Sequence, residues 1–109
     1  MATHNIEHST AYYKDKLGFK LSWLWGEPTV RAGLEMDGFE LQLDASGSRP
    51  VGISVVYCHM CNINNYYESC IQNGADIELE LGDRVFKVRD FRALDPSGNR
   101  IGFGEPLCE

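Results

Sequence analysis

The sequence predicts a single α+β domain made of two βαβββ modules, the first with its opening strand shortened or missing. Three observations lead to this. A helical apolar period followed by two-residue alternation occurs twice along the chain. The linker-like stretch Ser46-Gly47-Ser48-Arg49-Pro50 falls near mid-chain. Four strand patterns lie between the two helix patterns, whereas a ferredoxin-like βαββαβ domain would place two there.

In chain order, Ile6, Thr10, Tyr13 and Leu17 share one helix face, with Asn5 as N-cap and Gly18 just past the end, so the first helix spans about 6–17. Phe19, Leu21, Trp23 and Trp25 then alternate up to Gly26-Glu27-Pro28, which puts both tryptophans in one register and favours their burial. Val30, Ala32, Leu34 and Met36 lead to Asp37-Gly38, a pair suited to a type I′ hairpin, and Phe39, Leu41 and Leu43 return. Past the linker, Val51 to Tyr57 reads as a strand buried on both sides. Asn62 caps a second helix ending at Asn73-Gly74. Ile77, Leu79 and Leu81 form a strand, and Val85 to Leu94 another. Asp95-Pro96-Ser97-Gly98 makes a type I turn into a last strand with Ile101 and Phe103. Residues 1–109 are one domain, with module one at about 1–46 and module two at about 50–105. The echoes Asn5-Ile6 and Asn62-Ile63, Tyr12-Tyr13 and Tyr66-Tyr67, and Gly18 and Gly74 mark a duplicated unit.

Composition narrows the function. Ten basic against sixteen acidic residues give a net charge of −6, the wrong sign for a nucleic-acid binder. No apolar run reaches the ~20 residues that span a bilayer, and Met1-Ala2-Thr3-His4 lacks the features of a signal peptide. A cytoplasmic protein with neither nucleic-acid nor membrane partners is expected. Cys58-His59-Met60-Cys61 is a Cys-x-x-Cys without a second pair, while Cys70 and Cys108 stand alone. All four read as reduced thiols with structural roles. His59 and the cysteines beside it point to opposite faces of a strand, which argues against an activated nucleophile.

Three segments carry a resemblance. Ile6 to Phe19 ends in Leu17-Gly18-Phe19, Asn73-Gly74-Ala75-Asp76-Ile77 closes the second helix, and Phe91 to Ile101 contains Asp95-Pro96-Ser97-Gly98-Asn99. In this order, over almost the whole chain, they resemble the vicinal-oxygen-chelate superfamily of glyoxalase, bleomycin-resistance and dioxygenase proteins. The resemblance implies curved mixed sheets around a cavity and a homodimer. It also implies, for the family's enzymes, a divalent metal held by four strand residues. Here Glu40 falls on one ligand position; Gly102 and Gly52 fall on two others, and the opening strand offers none. One ligand is too few, so neither metal nor other cofactor is expected.

Within that fold the apolar registers face the helices. Arg31, Gly33 and Glu35, Glu40, Gln42 and Asp44, and Gly52, Ser54 and Val56 are then left on the ligand-facing side. The expected reading is a non-catalytic module that binds a small organic molecule bearing cationic or aromatic groups, through Glu40, Gln42, Arg31 and Ser54 with Trp25 as a stacking wall. A lyase, isomerase or dioxygenase-like enzyme with a divergent metal site is the alternative.

Overall fold

The computed structural model describes residues 1–47, 52, 55–85 and 87–106. Helix α1 (Ile6–Asp15) starts where the Asn5 side chain accepts a hydrogen bond from the His8 amide at 3.0 Å. It stops earlier than the periodicity suggests. Gly18 takes φ +76° and the Phe19 amide reaches back to the Tyr13 carbonyl at 2.8 Å, so Leu17 is buried from the turn rather than from the helix. Strands β1 (Lys20–Trp25), β2 (Arg31–Met36) and β3 (Phe39–Asp44) form an antiparallel sheet in that order. Asp37 and Gly38 both have positive φ (50° and 85°), as the type I′ reading requires.

Ahead of α1, Ala2 makes a single parallel bridge with Asp44 of β3. The Thr3 amide donates to the Asp44 carbonyl at 2.9 Å and the Asp44 amide to the Met1 carbonyl at 2.8 Å. β4 (Val55–His59) runs parallel to β7 (Arg100–Pro106), in a four-stranded sheet ordered β4-β7-β6-β5 with β5 (Ile77–Asp83) and β6 (Val88–Leu94). α2 (Ile63–Gln72) connects β4 to β5.

Two strand ends and one cap differ from those expected. β4 spans Val55–His59, past the expected end at 57; Gly52 lies in a turn, and residues 51, 53 and 54 of the expected strand lie outside the described residues. It is also not buried on both sides: Val55 is 67% and Tyr57 39% exposed, because α2 covers one face of this sheet alone. β6 begins at Val88 because the chain turns at 84–87, where the Arg84 amide donates to the Val88 carbonyl and Val85 is fully exposed. Asn62 heads α2 in a left-handed conformation, φ 57°, and its side chain makes no capping bond. The Glu105 carboxylate takes that place, accepting from the amides of Asn62 and Ile63 at 3.2 Å each. No helix among the described residues is long and apolar enough to cross a membrane.

The two modules share one core. Tyr13, Leu17, Phe19, Leu34 and Leu43 meet Phe91, Ile101 and Phe103, with Phe19 and Phe103 in ring contact across the boundary. The Asp95 turn locks them together. Its buried carboxylate accepts from Tyr13 Oη on α1 at 3.0 Å, from the Ser97 and Asn99 amides at 2.9 and 2.8 Å, and from Asn99 Nδ2 at 3.1 Å. Asn99 Nδ2 also donates to the Ala2 carbonyl at 2.6 Å. Burial, followed by the neighbouring Asp95 charge, pushes the Tyr13 phenol up, so it stays a donor.

Removing the carboxylate strands several buried donors at once. Asp95→Ala should lower unfolding free energy in urea by about 3–4 kcal/mol and Tyr13→Phe by about 1–2 kcal/mol. Because the Tyr13 pKa is raised on folding, its contribution is complete below the unfolded value near 10 and is lost as pH rises beyond it. Stability measured from pH 8 to 11 should therefore fall at the alkaline end, and less steeply in Tyr13→Phe.

Candidate functional site

Each sheet has one face on its helix and one open face. In module one, the β2–β3 register pairs Arg31 with Asp44, Gly33 with Gln42 and Glu35 with Glu40, so these six residues share the open face as expected. The tryptophans do not follow the simple alternation. A β-bulge at Ser22 shifts the register, so that Leu21 pairs with Leu34 but Trp23 pairs with Gly33 and Trp25 with Arg31. The shift leaves Leu21 and Leu24 beside α1 and turns both indoles to the open face. Trp23 lies flat over Gly33, where any Cβ would collide with the indole nitrogen. Trp25 is 61% exposed.

The charges on this face are mostly matched. Arg31 lies 3.8 Å from Asp44, and Lys20 stands opposite Glu35. Glu40 has no cationic partner among the described residues, and its hydrogen-bond partner there is Gln42 Nε2 at 3.4 Å. Trp25, Arg31, Glu40 and Gln42 are thus brought onto one surface. Ser54 lies outside the described residues. Gly52 and Val56 do not belong to this surface. Gly52 has φ +86° and sits against the Ser97 carbonyl, while Val56 packs against the core on the α2 side.

The open face of module two carries Tyr57, which the strand patterns did not single out, and Arg92, which the alternation of its strand sets opposite Arg89. Tyr57 pairs with Gly102, and its ring crosses Gly102 and Gly104; a Cβ on Gly104 would collide with the phenol oxygen. The Tyr57 hydroxyl donates to Asp90 at 3.1 Å, and Asp90 in turn binds Arg84 at 2.6 Å. Burial and then the Asp90 hydrogen bond push the Tyr57 phenol up to about 12. Arg92, paired with Gly102, faces the same way and meets Glu78 at 2.9 Å; Arg89 points instead to Asp83 and to Asn64 of α2. The signal available in the sequence was Gly102-Phe103-Gly104. Two glycines at alternate positions of a strand leave a flat trough for a ring.

The residues at the family's ligand positions do not fit a divalent cage. Tyr57 covers Gly102, Gly52 is part of a loop, and Glu40 faces outward beside an amide. Among the described residues no three His, Cys, Asp or Glu side chains gather closely enough to hold an ion. Cys58 is buried on the α2 side and His59 faces the other way beside Tyr57, with ring centroids 5.1 Å apart. Burial raises the Cys58 thiol, and for Cys70 raises it to about 11, so both are protonated at neutral pH.

Comparison with known proteins places these features in context. The family model described as "Glyoxalase/Bleomycin resistance protein/Dioxygenase superfamily" matches residues 1–103. Among solved structures, TioX from Micromonospora sp. ML1 superimposes with a TM-score of 0.84 at 18% identity, covering 98% of this chain and 94% of that one. A glyoxalase/bleomycin resistance protein/dioxygenase from Alicyclobacillus acidocaldarius gives 0.81 at 21%, covering 99% and 88%. One from Nocardioides gives 0.75 at 24%, covering 98% and 80%. At these identities the likeness is one of fold. No curated protein matches the chain by sequence.

The ring-over-glycine contact can be tested directly. Gly104→Ala should push Tyr57 off Asp90 and return its pKa from about 12 toward the ordinary value near 10. Tyrosinate absorbance at alkaline pH, compared between wild type, Gly104→Ala and Tyr57→Phe, reports the shift.

Proposed function

Because the chain belongs to the glyoxalase/bleomycin resistance protein/dioxygenase superfamily, we propose that it is a non-catalytic member that binds a planar organic cation. The observation that carries this reading is the bulge at Ser22, which sets Trp23 and Trp25 on the open face beside a carboxylate, Glu40, that lacks a cationic partner among the described residues. An indole face attracts a cation by roughly 0.5–2 kcal/mol, more when water is excluded. A carboxylate removed from water by the ligand strengthens the same preference. Gln42 and Arg31 supply a donor amide and a guanidinium to fix orientation. Tyr57 of module two adds a further aromatic face. Glycine at the family's last-strand ligand position, covered by Tyr57, supports binding rather than metal-assisted turnover.

Neither open face encloses such a ligand by itself. The cavity beside Arg31 and Gln42 is about 50 Å³ and that beside Tyr57 and Arg92 about 80 Å³. Small-molecule sites usually need roughly 300 Å³ or more. Exposed Trp25, Val55 and Tyr57 favour association with a second copy, which would bring two open faces together. The ligand site we propose is therefore completed in a homodimer.

Light scattering at micromolar concentration should give twice the 12.3 kDa chain mass. A cationic acridine dye should quench tryptophan fluorescence saturably, and an anionic naphthalene sulfonate of similar size should not. Trp25→Leu should weaken the dye about ten-fold and Glu40→Gln about three-fold, the scale of one cation–aromatic and one partly screened charge contact. Dye binding indifferent to both changes would refute the proposed site. Protein prepared without chelator should carry less than about one-tenth equivalent of zinc, nickel, iron or manganese, given the single carboxylate among the family's ligand positions.

A further inference from the structure

The two open faces differ in their unmatched charge. In module one, Lys20 and Arg31 stand against three carboxylates, Glu35, Glu40 and Asp44. In module two the sharing runs the other way, because Glu78 of β5 serves both Arg92 of β6 and Arg100 of β7. Arg100 Nε donates to both oxygens of Glu78, at 2.8 Å each. Arg92 Nε lies 2.9 Å from Glu78 Oε1, yet it is buried without a hydrogen bond. One carboxylate thus faces two guanidiniums and satisfies one of them.

The terminal nitrogens of Arg92 and Arg100 make no hydrogen bond among the described residues, and both side chains are partly exposed. A guanidinium that engages its carboxylate through Nε alone keeps its two amino groups as a fork for a further oxyanion. Because both arginines reach the same Glu78 oxygen, the two forks converge. The surface beside them is apolar: Val55 pairs with Arg100 and is exposed, and the Tyr57 ring crosses Gly102, the partner of Arg92. Two convergent forks at the edge of an aromatic floor suit a carboxylate carried on a ring. Charge also selects which open faces meet when two copies associate. Like faces would set Glu40 against Glu40, or the arginine pair against itself, and like-charge juxtaposition is costly. A two-fold axis that joins module one to module two avoids this and yields two equal sites.

We propose that the bound molecule is a zwitterion, a planar cation that also carries a carboxylate. Its cationic ring lies against Trp25 and Glu40 of one copy, and its carboxylate is held by Arg92 and Arg100 of the other. This rests on the cation-binding reading above and adds to it the anionic end of the ligand and the pairing of unlike faces.

The full chain is titrated with N-methylnicotinate, a planar zwitterion, and with N-methylnicotinamide, the same cationic ring with an amide in place of the carboxylate. Tryptophan fluorescence follows both. N-methylnicotinate should bind about ten-fold more tightly, the scale of one partly exposed charge-assisted contact. Arg100→Gln should erase that preference, whereas Arg89→Gln, whose guanidinium is engaged by Asp83, should keep it. The pairing of faces is read from two defective chains, Trp25→Leu and Arg100→Gln. Each alone should lack the tight zwitterion site, and co-expression should restore it at about one site in four, because a mixed dimer joins one pair of intact faces. Equal binding of the two probes, or a preference that survives Arg100→Gln, would overturn the zwitterion and leave cation binding standing. Failure of the co-expressed chains to recover the site would overturn the pairing of unlike faces. Binding of neither probe would overturn this inference together with the reading it rests on.

Discussion

The fold depends on one buried carboxylate. Asp95 accepts four hydrogen bonds, one of them from Tyr13 in the other module, and Asn99 of the same turn holds the Ala2 carbonyl. A carboxylate is tolerated in the interior when its lone pairs are satisfied, and becomes costly when they are not. Here that requirement fixes three segments at once: the last hairpin, α1 and the residues before α1. The aromatic core between the modules is adaptable in comparison, since apolar packing has no direction. The hydrogen bonds determine how the two halves meet.

The same economy of space shapes the open faces. Trp23 lies over Gly33, and Tyr57 lies over Gly102 and Gly104. In both sheets a missing side chain on one strand is filled by a ring from its neighbour. A strand glycine gives up packing and conformational restraint, and the covering ring restores contact area. The result is two aromatic surfaces where the superfamily's enzymes need metal-binding side chains. Tyr57 is further fixed by Asp90 and Arg84, so module two presents a held ring with arginine beside it, and module one presents indoles with Glu40.

The Asp95 turn, α1 and the sheet order form the scaffold, and the open faces lie outside the hydrogen bonds that hold it together. A fold of this kind does not by itself fix a function.

The sequence by itself determined the two-module α+β architecture, the Asp37-Gly38 hairpin and the shared face of Arg31, Glu40 and Gln42. Each of these is written in local periodicity or in turn residues with particular backbone demands. Only the tertiary structure decided where Trp23 and Trp25 point, because a one-residue bulge reverses every later side chain in a strand without altering its composition. The alternation of β6 sets Arg89 and Arg92 on opposite faces, but which of them joins the open face, and that Tyr57 lies over Gly102, follow from pairing with β7, a contact distant in sequence.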